Sequence, residues 1–211
     1  MEDLKKVKRV YSEKGALEVI RRACKKVFRL VLETNSATWY VRNLDSSGVQ
    51  VQADIPLNID FYDFEGTLNW IRDQNISWML NVEELEVAIA EGHYWANAKV
   101  DGAIIAYTKV GFGRVHVNDY RKAVEFPKDT AFLYDSYVLP EFRGKKVVPC
   151  LMNEACLLLA SRGFRKVLGY VPEWNTSSIK SVKRVGLKQA RKIRYLRILG
   201  FRILTGNPSN L

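Results

Sequence analysis

Residues 134–163, YDSYVLPEFRGKKVVPCLMNEACLLLASRG, hold three structural signals in succession. The first, ending at Val138, is aromatic and β-branched enough for a buried strand, and Pro140 stops it. The last, 147–162, is a long apolar helix closed by Gly163. Between them lies a basic loop with Arg143, Gly144, Lys145 and Lys146. The first turn of a helix leaves backbone N–H groups unpaired and carries partial positive charge, so an anion such as a pyrophosphate settles there. Taken alone, the loop reads first as a solvated basic turn capping a core helix.

The flanks extend the pattern. Downstream, 166–171 reads as a strand, and Asn175-Thr176-Ser177-Ser178 opens a helix over 176–185 that Gly186 closes. Two further strands are expected at 188–192 and in part of 194–203. Upstream, 131–138 is preceded by 113–129, which reads as an irregular insertion rich in turn residues. Before it, strands at 94–100 and 103–110 flank Asp101-Gly102, a strong hairpin signal because glycine accepts positive φ. Short helices are expected at 64–72 and 82–91, and a strand at 37–44. Residues 16–33 place apolar side chains on one helical face and Arg21, Arg22, Lys25, Lys26 and Arg29 largely on another. Hairpin strands combined with a β-α-β unit predict an α/β (α+β) fold with one mixed sheet and helices on both faces.

The 211 residues suit one α/β domain, or one domain with an appendage, and 47 % apolar with 27 % charged residues is ordinary for a globular protein. No stretch approaches the ~20 apolar residues needed to span a bilayer. The N-terminus has lysines but no apolar run behind them, so no secretory signal is read. Cys24, Cys150 and Cys156 form no CxxC pair, which points to a reducing, cytoplasmic setting and away from zinc. Cys150 and Cys156 are expected in the core, and His93 and His116, each without a second ligand at metal spacing, as ordinary surface or loop histidines. No metal site is predicted. The net charge of +10 is uneven: +6 over 1–32, −9 over 33–142, +4 over 143–178 and +9 from Ile179 onward. Such asymmetry implies an anionic partner, whether a phosphorylated cofactor, a membrane surface or nucleic acid.

The chain resembles the GNAT superfamily of N-acyltransferases over roughly residues 36–203. The resemblance rests on Val138-x-Pro140-x-x-Arg143-Gly144-Lys145, the apolar helix, the strand to Val171, Asn175-Thr176-Ser177-Ser178, Gly186-Leu187 and the Asp101-Gly102 hairpin. It implies a GNAT-like fold over 36–211 with a basic helical extension over 1–35. It also implies transfer of an acetyl group from acetyl-CoA to an acceptor, commonly an amine in the family, by direct attack in a ternary complex. Coenzyme A would lie between the strands ending at Val138 and Val171. The Val138 amide would meet the thioester oxygen, and the amides of Arg143, Gly144, Lys145, Lys146, Val147 and Val148 the pyrophosphate. Tyr137, Asn175 and Ser178 complete the expected cofactor contacts. Asp135 and Glu173 are candidate bases, and Tyr170 or Tyr137 a candidate proton donor to the leaving thiolate. This chain departs from the family pattern at Lys146 and Val148, where glycine and glycine or alanine are usual, and at Val182, where a tyrosine is frequent.

Other readings follow from the same residues. The departures leave open a GNAT-shaped binding module without catalysis. The acid-free C-terminal block, with Tyr195 and Phe201 among arginines, would suit nucleic acid, but no recognition signature accompanies it. The 16–33 helix would suit peripheral contact with the inner membrane face. An N-terminal extension of this kind is similar to those of family members acting on sugar amines, so an amine or amino sugar is the expected acceptor. A basic terminal strand leaves a homodimer open.

Overall fold

A computed structural model describes residues 32–44, 49–62, 64–73, 81–117, 122–198 and 201–205. In chain order these form β1 (Leu32–Asn43), β2 (Asn58–Tyr62), α1 (Phe64–Asp73), α2 (Val82–Ala90), β3 (Tyr94–Val100), β4 (Ala103–Phe112), β5 (Arg114–Val117) and β6 (Lys122–Glu125). They continue with β7 (Thr130–Val138), α3 (Val147–Ser161), β8 (Lys166–Pro172), α4 (Thr176–Arg184), β9 (Lys188–Ile198) and β10 (Phe201–Thr205). Residues 37–192 make one compact unit, and residues 32–36 with 193–205 contribute to another. In the latter, β9 and β10 pair antiparallel, with Ile198 opposite Phe201 and Arg194 opposite Thr205.

The larger unit is built on a mixed sheet in the order β1-β8-β7-β4-β3-β2. Among the described strand pairs of this unit only β7 and β8 run parallel, joined by a crossover through α3. The β3–β4 hairpin turns at Asp101 (φ 49°) and Gly102 (φ 81°), both in the left-handed region that a two-residue turn requires. Alternation along the strands then sorts side chains to the two faces. Ala96, Ala98, Ala106 and Val110 pack with Leu151, Ala155 and Leu159 of α3 and Val182 of α4. Trp95 and Tyr107 point the other way, against Ile71 of α1 and Ala88 of α2. Helices therefore cover both faces, as the mixed α/β reading requires.

Several boundaries differ from expectation. The 113–129 insertion is not irregular but contains the hairpin β5–β6, with His116 opposite Ala123. The strand β2 was not expected, and β9 passes through Ile193 without the break foreseen there. Of the amphipathic helix expected at 16–33, residues 16–31 lie outside the described residues, whereas Leu32 and Glu33 belong to β1. Cys24 also lies outside them. Among the described residues no helix is long and apolar enough to cross a membrane.

Candidate active site

The pairing of β7 with β8 covers only Thr130–Leu133 against Lys166–Gly169. Beyond it β7 runs on to Val138 and β8 to Pro172, so the two strand ends part. The cause lies on the other edge of β7. Its register with β4 shifts between Tyr107 and Lys109, with Tyr137 opposite Tyr107 but Tyr134 opposite Lys109. The extra residue is a bulge, and Asp135 within it takes a left-handed φ of 52°. A bulge bends its strand and sharpens the local twist, which turns the end of β7 away from β8.

A buried ion cluster holds this bulge. Lys109 is 1 % exposed, and its ammonium bonds the carboxylates of Glu84 on α2 and Asp135, the latter at 2.5 Å. An ammonium at that depth needs such counter-charges, because burying it unpaired costs several kcal/mol. Beside it, the hydroxyls of Thr108 and Ser136 lie 2.7 Å apart.

Two cavities occupy the opening. The one toward α3 and α4, about 330 Å³, is lined by Arg143, Lys146, Lys180 and Arg184, with no carboxylate among its described lining residues. Both helices begin there. Lys146 caps α3 in a left-handed conformation (φ 56°), and Val147 and Val148 supply first-turn amides, while Pro149 has none to give. Asn175 caps α4, its side-chain oxygen accepting from the Ser178 amide at 3.1 Å. Gly144 (φ 81°) makes the turn into α3. Four cations and two helix N-termini converge on one space, and this donor set fits the phosphates of coenzyme A. The Lys146 ammonium reaches Asp54 at 2.5 Å, and Val148, partly buried, packs against the core.

The second cavity, about 300 Å³, lies on the other side of the splay and shares Ser136, Asn175 and Ser178 with the first. Its walls include Phe132, Tyr134 and Tyr170, backed by the Trp39 ring 5.4 Å from Phe132 and 5.1 Å from Tyr170. Asp135 and His116 add a carboxylate and an imidazole to that lining. Both histidines correct the surface assignment: His93 is 4 % exposed and His116 5 % exposed. His93 Nε2 donates to the Phe112 carbonyl at 2.9 Å, and burial lowers its pKa against the opposing effects of that bond and of Glu91. Burial likewise pushes the Tyr134 phenol well above its usual range, with Glu84 and Asp135 adding to the effect.

The profile of the acetyltransferase (GNAT) family matches residues 61–187. The chain belongs to the GNAT family. Among solved structures, an N-acetyltransferase from Sphaerobacter thermophilus is similar at 12 % identity and TM-score 0.57, over 84 % of this chain and 56 % of that one. A GNAT acetyltransferase from Colwellia psychrerythraea is similar at 13 % identity and TM-score 0.55, over 79 % of this chain and 57 % of that one. This chain thus spans less than two thirds of either. An aminoglycoside N-acetyltransferase solved with coenzyme A is 20 % identical over 63 % of this chain and 93 % of its own, with TM-score 0.44. No curated protein matches the sequence significantly.

Within this GNAT chain, Val138, Arg143, Gly144, Lys146, Val147, Val148, Asn175 and Ser178 all line the cation-rich cavity. Tyr137 and Lys145 line neither cavity: Tyr137 stacks on Tyr107 at 6.2 Å and lies 5.9 Å from the Arg143 guanidinium, while the Lys145 ammonium sits 5.1 Å over Phe142. Asp135 and Tyr170 line the second cavity. Glu173 does not, and its carboxylate lies 2.5 Å from the Lys192 ammonium. Val182, where the family often has tyrosine, is a core residue 3 % exposed. Sequence reasoning missed Lys180 and Arg184 as cofactor-side cations. Their spacing of four on α4, one helical turn, was the available signal. Among the described residues no group of three or more His, Cys, Asp or Glu is placed to hold a metal ion.

Proposed function

We propose that this chain transfers an acetyl group from acetyl-CoA to a small primary amine by direct attack in a ternary complex. The observation that carries the reading is the end of β7–β8 pairing at Leu133–Gly169, which opens two cavities of opposite character meeting at Ser136, Asn175 and Ser178. On this reading Arg143, Lys180 and Arg184, with the amides of Gly144, Val147 and Val148, hold the phosphates. Acetyl-CoA supplies an acyl thioester with a thiol leaving group. The Val138 amide is assigned to the carbonyl oxygen, where a donor matched to developing charge contributes ~2.7–4 kcal/mol. Tyr170, in the second cavity, is assigned to protonate the departing sulfur.

The amine follows from charge. Among the described residues of the second cavity Asp135 is the carboxylate, and no lysine or arginine is present. That lining attracts an ammonium and disfavours a phosphorylated acceptor such as a nucleotide-sugar. We assign 1–35 as a separate extension and 36–211 as the transferase domain, acting in the cytoplasm, where acetyl-CoA and reduced thiols coexist.

Calorimetric titration with acetyl-CoA tests the reading. Micromolar binding is expected, weakened about ten-fold in Arg143→Ala, the effect of losing one charge-assisted contact. Absence of binding at millimolar acetyl-CoA would overturn it.

A further inference from the structure

We propose that His116 takes the proton from a small primary amine seated in the cavity it shares with Asp135 and Tyr170, an inference that rests on the acyl-transfer reading above. Amines are protonated at neutral pH and attack only after losing that proton, so a base must sit within reach of the nitrogen. The carboxylates nearest the opening are committed elsewhere. Asp135 lies 2.5 Å from the Lys109 ammonium, and protonating it would strip a buried cation of one counter-charge. Glu173 lies 2.5 Å from Lys192 and outside the cavity lining.

His116 is placed differently. It lines the cavity, is 5 % exposed, and its Nε2 has no hydrogen-bond partner. A buried imidazole left so is costly unless a ligand or a change of charge completes it. Histidine is also the side chain whose ordinary titration lies nearest neutrality. The Glu83 carboxylate stands 3.7 Å from Nε2 and is 73 % exposed, so it faces the imidazole on one side and water on the other. The groups around His116 are Glu83 from α2, Tyr134 and Asp135 from β7, and Tyr170 from β8, while β6 sets the neutral Ala123 opposite it.

The step balances. Neutral His116 accepts one proton from the ammonium, and the freed nitrogen lone pair forms the C–N bond as the C–S bond breaks. Tyr170 gives its proton to the sulfur and regains the second nitrogen proton. His116 then releases its own to water beside Glu83. The net products are amide, thiol and one proton.

The chain has two histidines, which makes an imidazole NMR titration directly assignable with His93→Gln. The full chain saturated with coenzyme A is titrated from pH 5 to 9, with and without 2-phenylethylamine or glucosamine. The His116 signal is expected to titrate and to move with at least one amine, while His93 does not move. In transfer assays His116→Gln should lower kcat about 100-fold or more, abolish the acid-side inflection of kcat, and leave the acetyl-CoA KM within about two-fold. A His116 signal that does not titrate, or that neither amine moves, overturns the proposal. So does a His116→Gln profile that keeps its acid inflection. Acetyl-CoA binding with either result would leave the acyl-transfer reading standing and remove only the role of His116.

Discussion

Lys109 is the residue on which the local geometry of the site depends most. Its ammonium joins α2, through Glu84, to the β7 bulge, through Asp135. Glu84 is 1 % exposed, so Lys109→Met would leave a buried carboxylate without its cation, at a cost of about 3–5 kcal/mol in urea denaturation. Adding Glu84→Gln removes the more deeply buried of its two carboxylate partners, and the double variant should recover at least half of that loss. A double variant no better than the single would mean that packing, not charge, makes Lys109 necessary. His93 supplies a pH-dependent counterpart. Burial lowers its pKa in the folded state, so the unfolded chain takes up the proton more readily. Its contribution is therefore intact above the ordinary histidine pKa and is lost as pH falls from there through the folded value. Between pH 7 and 5 the unfolding free energy should fall more steeply for the native chain than for His93→Gln, by at most about 1.4 kcal/mol per pH unit. Neither histidine's burial was legible in sequence. A lone histidine is compatible with core and surface alike, and what covers each comes from distant elements: Phe112 and Tyr134 for His93, α2 and β7 for His116.

At the scale of elements, Leu187 and Val182 of α4 and its following turn lie close against β8, beside the splay. Gly169, the last residue of β8 paired with β7, makes that approach possible. A Cβ there would lie 3.1 Å from Leu187 Cδ2 and 3.8 Å from Val182 Cγ1. Gly169→Val should thus push the α4 region outward, costing about 1–3 kcal/mol by overpacking. Because Asn175 and Ser178 at the start of α4 line both cavities, acetyl-CoA affinity should drop several-fold in the same variant. Full affinity despite lost stability would show that the opening does not depend on this contact. The elements themselves were largely readable. The Asp101-Gly102 turn and the strand-loop-helix at 134–163 fold as their local chemistry dictates. The hairpin β5–β6 was not readable, because four-residue strands give too few alternations to separate from loop. Nor was the bulge, since Asp135 is extra only relative to the register of β4, which no local pattern encodes.

Across the whole molecule, charge is segregated by the fold more sharply than by the sequence. Arg143 and Lys146 come from the block of charge +4, Lys180 and Arg184 from the acid-free C-terminal block, and the adjoining starts of α3 and α4 bring all four to one cavity. The −9 middle block gives the other cavity Asp135 and its neighbours Glu83 and Glu84, with Glu84 balanced by Lys109. The sequence shows a basic end and an acidic middle, and predicts an anionic partner. Only the parting of β7 and β8 shows that the two characters meet at a shared floor of Ser136, Asn175 and Ser178. If the cations hold phosphates, affinity for acetyl-CoA must depend on ionic strength. Between 0.1 M and 1 M salt the screening length falls from about 10 Å to about 3 Å, which weakens contacts that are partly exposed to solvent. The acetyl-CoA Kd should rise about ten-fold over that range in calorimetry at constant pH, and the rise should be smaller in Arg143→Ala and Arg184→Ala, each of which has one fewer cation to screen. Salt-independent binding would instead assign the affinity to apolar contacts along Val138 and Phe142, and would leave the convergence of four cations without a role in holding the cofactor.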